Sequence, residues 1–255
     1  MELIKNVSGW GNSAGVLLPK EWKGKEVKII LIDRSSEIKK EVFDMLSDYL
    51  EDILGIYLTG SYARGEQEVG SDTDIIAISN KTKKEIVSGK YHVSIATLNG
   101  IKNTIKAHPE LILPRLNEAK TILNESLLEE LKKNKLGKKS FKNFVEDTKR
   151  VIRINKGFLE LDKEKSEYVI SKRTVYSAVL RLRGFLLIKS LLEKKKYSKK
   201  LFEKLLLETL NEDEFERVYS VYKSIRDDEK TKEKVRIETV EKLLEFLKKQ
   251  LEYFK

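Results

Sequence analysis

After Pro114 the chain contains no further proline, and from residue 141 onward its apolar residues recur at helical spacing. A proline-free stretch with period-3.6 patterning can only bury its apolar stripes by packing helix on helix. The stripes run through Phe141, Phe144, Val145, Thr148, Val151 and Ile152, then through Val175, Tyr176, Val179, Leu182, Phe185 and Leu186. Further stripes follow at Leu201, Phe202, Leu205 and Leu206, at Phe215, Val218, Tyr219, Tyr222 and Ile225, and at Val240, Leu243, Leu244, Phe246 and Leu247. This spacing predicts a bundle of about five helices over residues 125–255.

The preceding stretch, residues 35–124, alternates its period. Ser35 or Ser36 is placed to cap a helix carrying Ile38, Val42, Met45, Leu46, Tyr49, Leu50 and Ile53. Residues 55–59, 74–78 and 91–97 read as strands, residues 82–88 and 98–107 as helices, and residues 118–123 as a last strand. That alternation gives a small α/β unit with a mixed sheet. Residues 1–34 are different again. Residues 16–18 and 27–32 are apolar and β-prone, punctuated by Gly9, Gly11, Gly15, Pro19 and Gly24. A segment of about 34 residues cannot bury a core alone, so it needs either the rest of the chain or a second copy of itself. The expected fold class is α+β: a small α/β domain with a mixed sheet at 35–124, preceded by a β-hairpin segment at 1–34 and followed by an all-α bundle at 125–255.

Composition narrows the function. Hydrophobic residues make up 40% of the chain, enough for a packed core, which excludes wholesale disorder. The sequence has no cysteine, which removes disulfides, thiolate metal sites and cysteine nucleophiles. No apolar run approaches the roughly 20 residues needed to span a bilayer, and residues 1–5 lack the layout of a signal peptide, so a cytoplasmic protein without a membrane partner is expected. Glutamine occurs only at Gln67 and Gln250 in a chain of 36% charged residues. That profile fits a thermophile protein, or a surface rich in helix-forming Lys and Glu. The formal charge is +10, yet residues 1–120 hold 17 basic and 17 acidic side chains, so the whole excess lies beyond them. It marks either an anionic partner, nucleic acid or nucleotide, or the solvated faces of long helices.

The chemistry concentrates in residues 55–78. An apolar run, residues 55–59, leads into Gly60-Ser61-Tyr62-Ala63-Arg64-Gly65. Gly60 lets a phosphate approach the backbone, Ser61 offers a hydroxyl and an N–H, and Arg64 follows at a distance suited to a second phosphate oxygen. Ser71-Asp72-Thr73-Asp74 then opens the next apolar run. Residues two apart at the start of a strand share a face, so Asp72 and Asp74 aim together. Paired carboxylates plus substrate phosphates are what Mg²⁺ (or Mn²⁺) takes, and such ions can clamp in-line attack on an α-phosphate.

Gly60-Ser61, ten residues and then Asp72-x-Asp74 resembles the signature of the DNA polymerase beta-like nucleotidyltransferase superfamily, in particular the minimal nucleotidyltransferases. The resemblance extends less sharply to residue 124. It implies transfer of a nucleoside monophosphate from an NTP to an acceptor hydroxyl on a small molecule, an RNA end or a protein. The minimal family includes antitoxins that adenylylate a partner. On this reading Asp72 and Asp74 are the catalytic metal ligands, and Gly60, Ser61, Arg64 and Ser71 bind nucleotide. The family usually carries a third carboxylate on a following strand. Here Ser94 aligns with it and His92 lies two residues earlier on the same face, so these are the third-strand candidates. The alternative is a catalytically weak or inactive regulator that binds nucleotide, DNA or both as a dimer.

Two further resemblances flank this one. Gly11-Asn12-Ser13, an apolar run and Pro19-Lys20 look like the AbrB-like swapped-hairpin domains, which implies a homodimer through residues 1–34 and DNA as a partner. The helical half is similar to HEPN-type bundles. HEPN ribonucleases place a His shortly after an Arg, but the only histidines here are His92 and His108, so the bundle is not expected to cleave RNA. Arg173, Arg181, Arg183, Lys189 and Lys194 to Lys196 either line a cleft or are solvated. Tyr176, Tyr219 and Tyr222 fit a core better than a base-stacking surface.

Overall fold

The computed structural model describes residues 3, 5, 7–10, 13–28, 35–68 and 70–255. Near the N-terminus β1 (Ser8–Trp10) pairs antiparallel with β2 (Ser13–Gly15), with Gly9 opposite Ala14. The strand expected at 16–18 is not formed: Leu17 and Leu18 are exposed and lie outside regular structure. Of the strand expected at 27–32, residues 27 and 28 are irregular and residues 29–32 lie outside the described residues.

The central unit follows. Helix α1 (Ser35–Met45) leads through a 3₁₀ turn to β3 (Ile53–Thr59), the short helix α2 (Gly60–Arg64) and β4 (Thr73–Ser79). Next come β5 (Lys84–Ser88), β6 (Tyr91–Thr97), α3 (Leu98–Ala107), α4 (Pro109–Glu118) and β7 (Lys120–Leu123). The sheet order is β5-β6-β4-β3-β7, and only the β4–β6 pair is parallel, so the sheet is mixed as expected. Its middle strand explains the unbroken apolar run after Asp74. Ile75 and Ala77 pack toward Ile38 and Val42 of α1 and Leu46 just after it, while Ile76 and Ile78 pack toward α3 and α4. Burial on both faces removes the alternation that a half-exposed strand would show.

Residues 82–88 do not form the expected helix. They contain β5, which returns through the two-residue loop Gly89-Lys90 to pair with β6, Ser88 opposite Tyr91. Gly89 leads that loop at φ +54°, the conformation that a hairpin turn of the primed type needs at its first central position.

Beyond residue 124 lie α5 (Glu125–Lys132), α6 (Lys142–Lys163), α7 (Lys172–Leu192), α8 (Lys199–Leu207), α9 (Glu212–Arg226) and α10 (Ile237–Gln250). The five stripes read from sequence fall on α6 to α10 and bury one shared core around Phe141, Phe185, Leu206, Tyr222 and Leu244. Tyr222 is buried and stacks on Tyr176 with ring centroids 5.5 Å apart, which settles the tyrosines as core. Helix α5 instead packs on the sheet, its Leu128 and Leu131 against Tyr57, Ile76 and Ile78.

Asn124 fastens α5 to the sheet. At φ 65° its side chain accepts the Leu127 N–H at 3.1 Å and donates to the Leu54 carbonyl at 2.7 Å. Its own carbonyl accepts from the Tyr57 hydroxyl at 2.9 Å. Asn124→Ala removes the cap and puts a Cβ residue in the left-handed region without a side chain to support it. The expected cost is about 2 kcal/mol, read as a lowered melting temperature, while Asn124→Gly costs clearly less.

Candidate active site

The register of β3 against β4 builds the site. Thr59 pairs with Asp74, so the turn that begins at Gly60 folds directly over the start of β4. Gly60 sits at φ +72°, and a Cβ there would lie 2.2 Å from Asp74 Oδ2. Two independent constraints therefore require glycine at this position. Gly65, again at φ +72°, closes the turn, and its N–H bonds the Ser61 carbonyl.

Two of the turn's donors, the Gly60 N–H and the Arg64 guanidinium, are already partnered. The Gly60 N–H donates to Glu118 Oε1 at 3.0 Å. Arg64 donates from Nη1 to Glu118 Oε2 at 2.7 Å and from Nε to Glu66 Oε2 at 2.8 Å. Glu118, at the end of α4, thus holds both the turn's first N–H and its arginine. Ser71 works within its own loop: its hydroxyl accepts the Glu68 N–H at 2.8 Å, and its N–H donates to the Glu68 carbonyl at 3.0 Å.

Asp74 lies half-buried beside the exposed Asp72. Burial pushes the Asp74 carboxyl up, and Asp72 adds to that, against the opposing pull of Arg115, His92 and Arg64. Two carboxylates that repel one another, one of them seated in the room that a glycine leaves, suit a hard divalent cation with oxygen preference. Among the described residues no three His, Cys, Asp or Glu side chains group into a metal site of their own. A cation here would complete its shell with phosphate oxygens and water, the usual habit of Mg²⁺.

The parallel register of β6 on β4 sets His92 opposite Asp74 and Ser94 opposite Ile76. It is His92, therefore, that comes beside the aspartate, its Nδ1 3.9 Å from Asp74 Oδ1. Its Nε2 lies 3.2 Å from Glu85 Oε2, and the Ser94 hydroxyl donates to Glu85 Oε1 at 2.6 Å. Glu85 belongs to β5 and pairs with Ser94 across the sheet. A carboxylate absent from β6 is thus present one strand away, on the face that carries Asp74. Sequence reasoning missed it because residues 82–88 were expected to be helical. The signal was Ser88-Gly89-Lys90, a tight turn between two β-prone runs.

The bundle supplies a second wall. Arg64 and Arg183 of α7 each lie over the Tyr197 ring, both 5.8 Å from its centroid, and Arg183 Nη1 donates to the Tyr222 hydroxyl at 3.3 Å. Lys199, at the start of α8, bonds Glu68 at 2.8 Å. Lys199, with Lys223 and Arg226 of α9 behind it, holds the Glu68 carboxyl below its usual range. Part of the basic excess of the helical half is therefore turned toward the loop between the turn and the aspartates. Of the other basic residues singled out on α7, Arg181 lies over Phe144 and Lys189 over Tyr253.

A five-stranded mixed sheet that sets a glycine turn against paired aspartates at adjoining strand ends, followed by helices, is an α+β fold of the nucleotidyltransferase class. The family profile described as "Nucleotidyltransferase domain" matches residues 36–245, and the chain belongs to that family. The match runs through the sheet, the site and most of the bundle. A spectinomycin adenyltransferase from Enterococcus faecialis, solved with ATP and spectinomycin, aligns with 84% of this chain and 99% of its own at 14% identity and a TM-score of 0.50, a likeness of fold. A nucleotidyltransferase-like protein from Exiguobacterium sibiricum aligns with 85% of this chain and 75% of its own at 12% identity and a TM-score of 0.37. No curated protein shows significant similarity to the sequence. Among the described residues no helix is long and apolar enough to cross a membrane.

Proposed function

We propose that this protein transfers a nucleoside monophosphate from an NTP to an acceptor hydroxyl. The observation that carries this reading is the pairing of Thr59 with Asp74, which sets the Gly60–Ser61 turn and the two aspartates within one site. The turn would receive the triphosphate through Gly60, Ser61 and Arg64. Asp72 and Asp74 would hold Mg²⁺ or Mn²⁺ together with phosphate oxygens. Bound there, the cation draws off the charge that builds on the α-phosphate and on departing pyrophosphate.

In the reaction, the acceptor oxygen forms a bond to the α-phosphorus and the bond to the β-phosphate bridge breaks. The hydroxyl proton needs an acceptor within hydrogen-bond reach of that oxygen. His92, held between Asp74 and Glu85, is the group best placed to receive it. Arg183 and Lys199 supply positive charge on the bundle side. Substrate must displace Glu118 from the Gly60 N–H and Arg64, because that carboxylate occupies the donors a phosphate would use.

A small-molecule acceptor fits the site's position between sheet and bundle. The similarity of overall fold to an adenyltransferase solved with ATP and a small acceptor supports that choice over an RNA end or a protein side chain. A second reading, a nucleotide-binding regulator that does not turn over, is favoured by the carboxylate seated on Gly60 and by the lack of an acid on β6. Residues 1–34 are read as a homodimerisation segment with DNA as its partner, because the β1–β2 hairpin is too short to bury a core of its own.

Calorimetric titration with ATP and Mg²⁺ tests the site itself. Wild type is expected to bind only when Mg²⁺ is present, and Asp72→Ala is expected to weaken that binding by at least about ten-fold. Wild type that binds no NTP with metal would overturn both readings. Metal-dependent binding without pyrophosphate release from any acceptor tried would favour the regulator.

A further inference from the structure

Two lysine-rich segments far apart in the chain meet at Tyr253. The first, residues 132–139, runs from the last residue of α5 toward α6 and carries five lysines and no acid. The second, residues 189–196, is the end of α7 and the loop after it, with four lysines and one acid, Glu193. Lys138 and Lys189 both lie over the Tyr253 ring, 5.0 and 5.9 Å from its centroid. Leu136 and Leu191 anchor the two segments in the same core. Lys132 pairs with Glu129, and Lys195 with Glu193. Among the described residues none of the other lysines in these segments has a carboxylate partner, and of those only Lys189 is half-buried, the rest being exposed.

The backbone adds a second observation. Helix α7 closes with the Lys195 N–H on the Ser190 carbonyl at 2.9 Å and the Lys194 N–H on the Leu191 carbonyl at 3.3 Å. This is the Schellman ending, whose left-handed position is ordinarily filled by glycine. Here it is filled by Lys194, at φ +52°. A cation near a helix C-terminus is favourable, but Lys189 and Lys195 supply that from ordinary backbone. The strain at Lys194 therefore carries one more positive charge into a patch already rich in them, and the fold gains nothing from it.

Unneutralised like charges repel one another, and an anion held among them relieves the repulsion. A row of cations spread over two segments suits a polymer of regularly spaced phosphates better than a single anion. None of the exposed large apolar side chains among the described residues falls in either segment, so the wedge that a membrane-surface site inserts is missing. We propose that this lysine patch binds the phosphate backbone of a nucleic acid, through charge and without reading sequence. It is separate from the DNA partner assigned to residues 1–34, and it does not depend on the reaction assigned above.

Fluorescence anisotropy of a labelled single-stranded RNA and a labelled DNA duplex, titrated with the full-length protein over a range of salt, tests this. Lys135→Gln, Lys139→Gln and Lys196→Gln together should weaken binding at least about ten-fold at low salt and lower the slope of log affinity against log salt by about two. The control removes the same charge elsewhere, at the exposed and unpaired Lys39, Lys40 and Lys83, each to Gln, and should leave affinity unchanged. Lys194→Gly is the sharper variant. It should weaken binding about two- to five-fold while melting at or above the wild-type temperature, and misfolding cannot produce that combination. The proposal is overturned if neither nucleic acid binds at low salt, or if the two triple variants lose affinity equally. Loss in neither triple would assign the binding to another surface, residues 1–34 included, and would overturn it too. Sedimentation with phosphatidylserine vesicles covers the remaining case: binding to vesicles without binding to nucleic acid would make the patch a membrane contact instead.

Discussion

Asp74→Asn should lower turnover by about a thousand-fold or more and leave the fold intact. The carboxylate is the half-buried member of the pair, and the turn at Gly60 is built around it. An amide keeps its volume but not its charge, so the cation proposed above would lose its better-shielded ligand, and interactions of this kind are typically worth about two to three orders of magnitude or more in rate. Stability should move the other way. Burial pushes the Asp74 carboxyl up, so its ionised form is held less well by the folded chain than by the unfolded one. The group's contribution to stability is complete while it is protonated, below the ordinary carboxylate range, and is lost as pH rises through the raised value. Asparagine mimics the protonated form. The variant should therefore melt about 1–2 °C above wild type at pH 7 and level with it at pH 3, the effect being small because the group keeps contact with solvent. Differential scanning calorimetry at the two pH values, beside a pyrophosphate-release assay, checks both halves. A variant that loses turnover by unfolding would show a lowered melting temperature instead.

Gly60→Ala should be nearly as damaging by a different route. Alanine at φ +72° costs about 1–2 kcal/mol of backbone strain, and its Cβ also cannot coexist with Asp74 Oδ2 at 2.2 Å. The carboxylate must swing away, and a shift of about 1 Å at a reacting centre costs on the order of a hundred-fold in rate. Gly65→Ala is the control. It has the same φ of +72°, but a Cβ there meets nothing within 4 Å. Both variants should melt about 3–6 °C below wild type, while only Gly60→Ala loses at least about a hundred-fold in kcat. Equal losses of activity in the two would assign the effect to strain in the turn and not to displacement of Asp74.

The candidate residues whose placement could be read from sequence are those brought together locally. Gly60, Ser61, Asp72 and Asp74 lie within one strand-turn-strand unit, and their spacing alone brings them together. Helices α6 to α10 were legible because each buries one stripe against the others, which writes a period into the chain. Strand β5 was not, because only Ile86 of its five residues is even half-buried. An edge strand with little to bury leaves no alternation to read. Losing β5 meant losing Glu85. Glu118, Tyr197 and Lys199 were hidden for another reason. They reach the site through tertiary contacts across 54, 133 and 131 positions of the chain, and no local pattern records such contacts. His92 and Ser94 were correctly placed on one face, but only the β4–β6 register decides that His92 stands next to Asp74.

The carboxylates that occupy the site's cations have a bearing on salt. Arg64 is neutralised by Glu66 and Glu118, and Lys199 by Glu68, before any substrate arrives. On the proposed function, a nucleotide docking here would trade one anion for another, so its binding would be an ion exchange and not the filling of an open positive field. The free energy gained is then the difference between two sets of ion pairs. Rising ionic strength screens both sets, and much of its effect cancels. A protein with ten more positive than negative charges can in this way hold a triphosphate with far less sensitivity to salt than its net charge implies, because the charges nearest the phosphates are the ones already balanced.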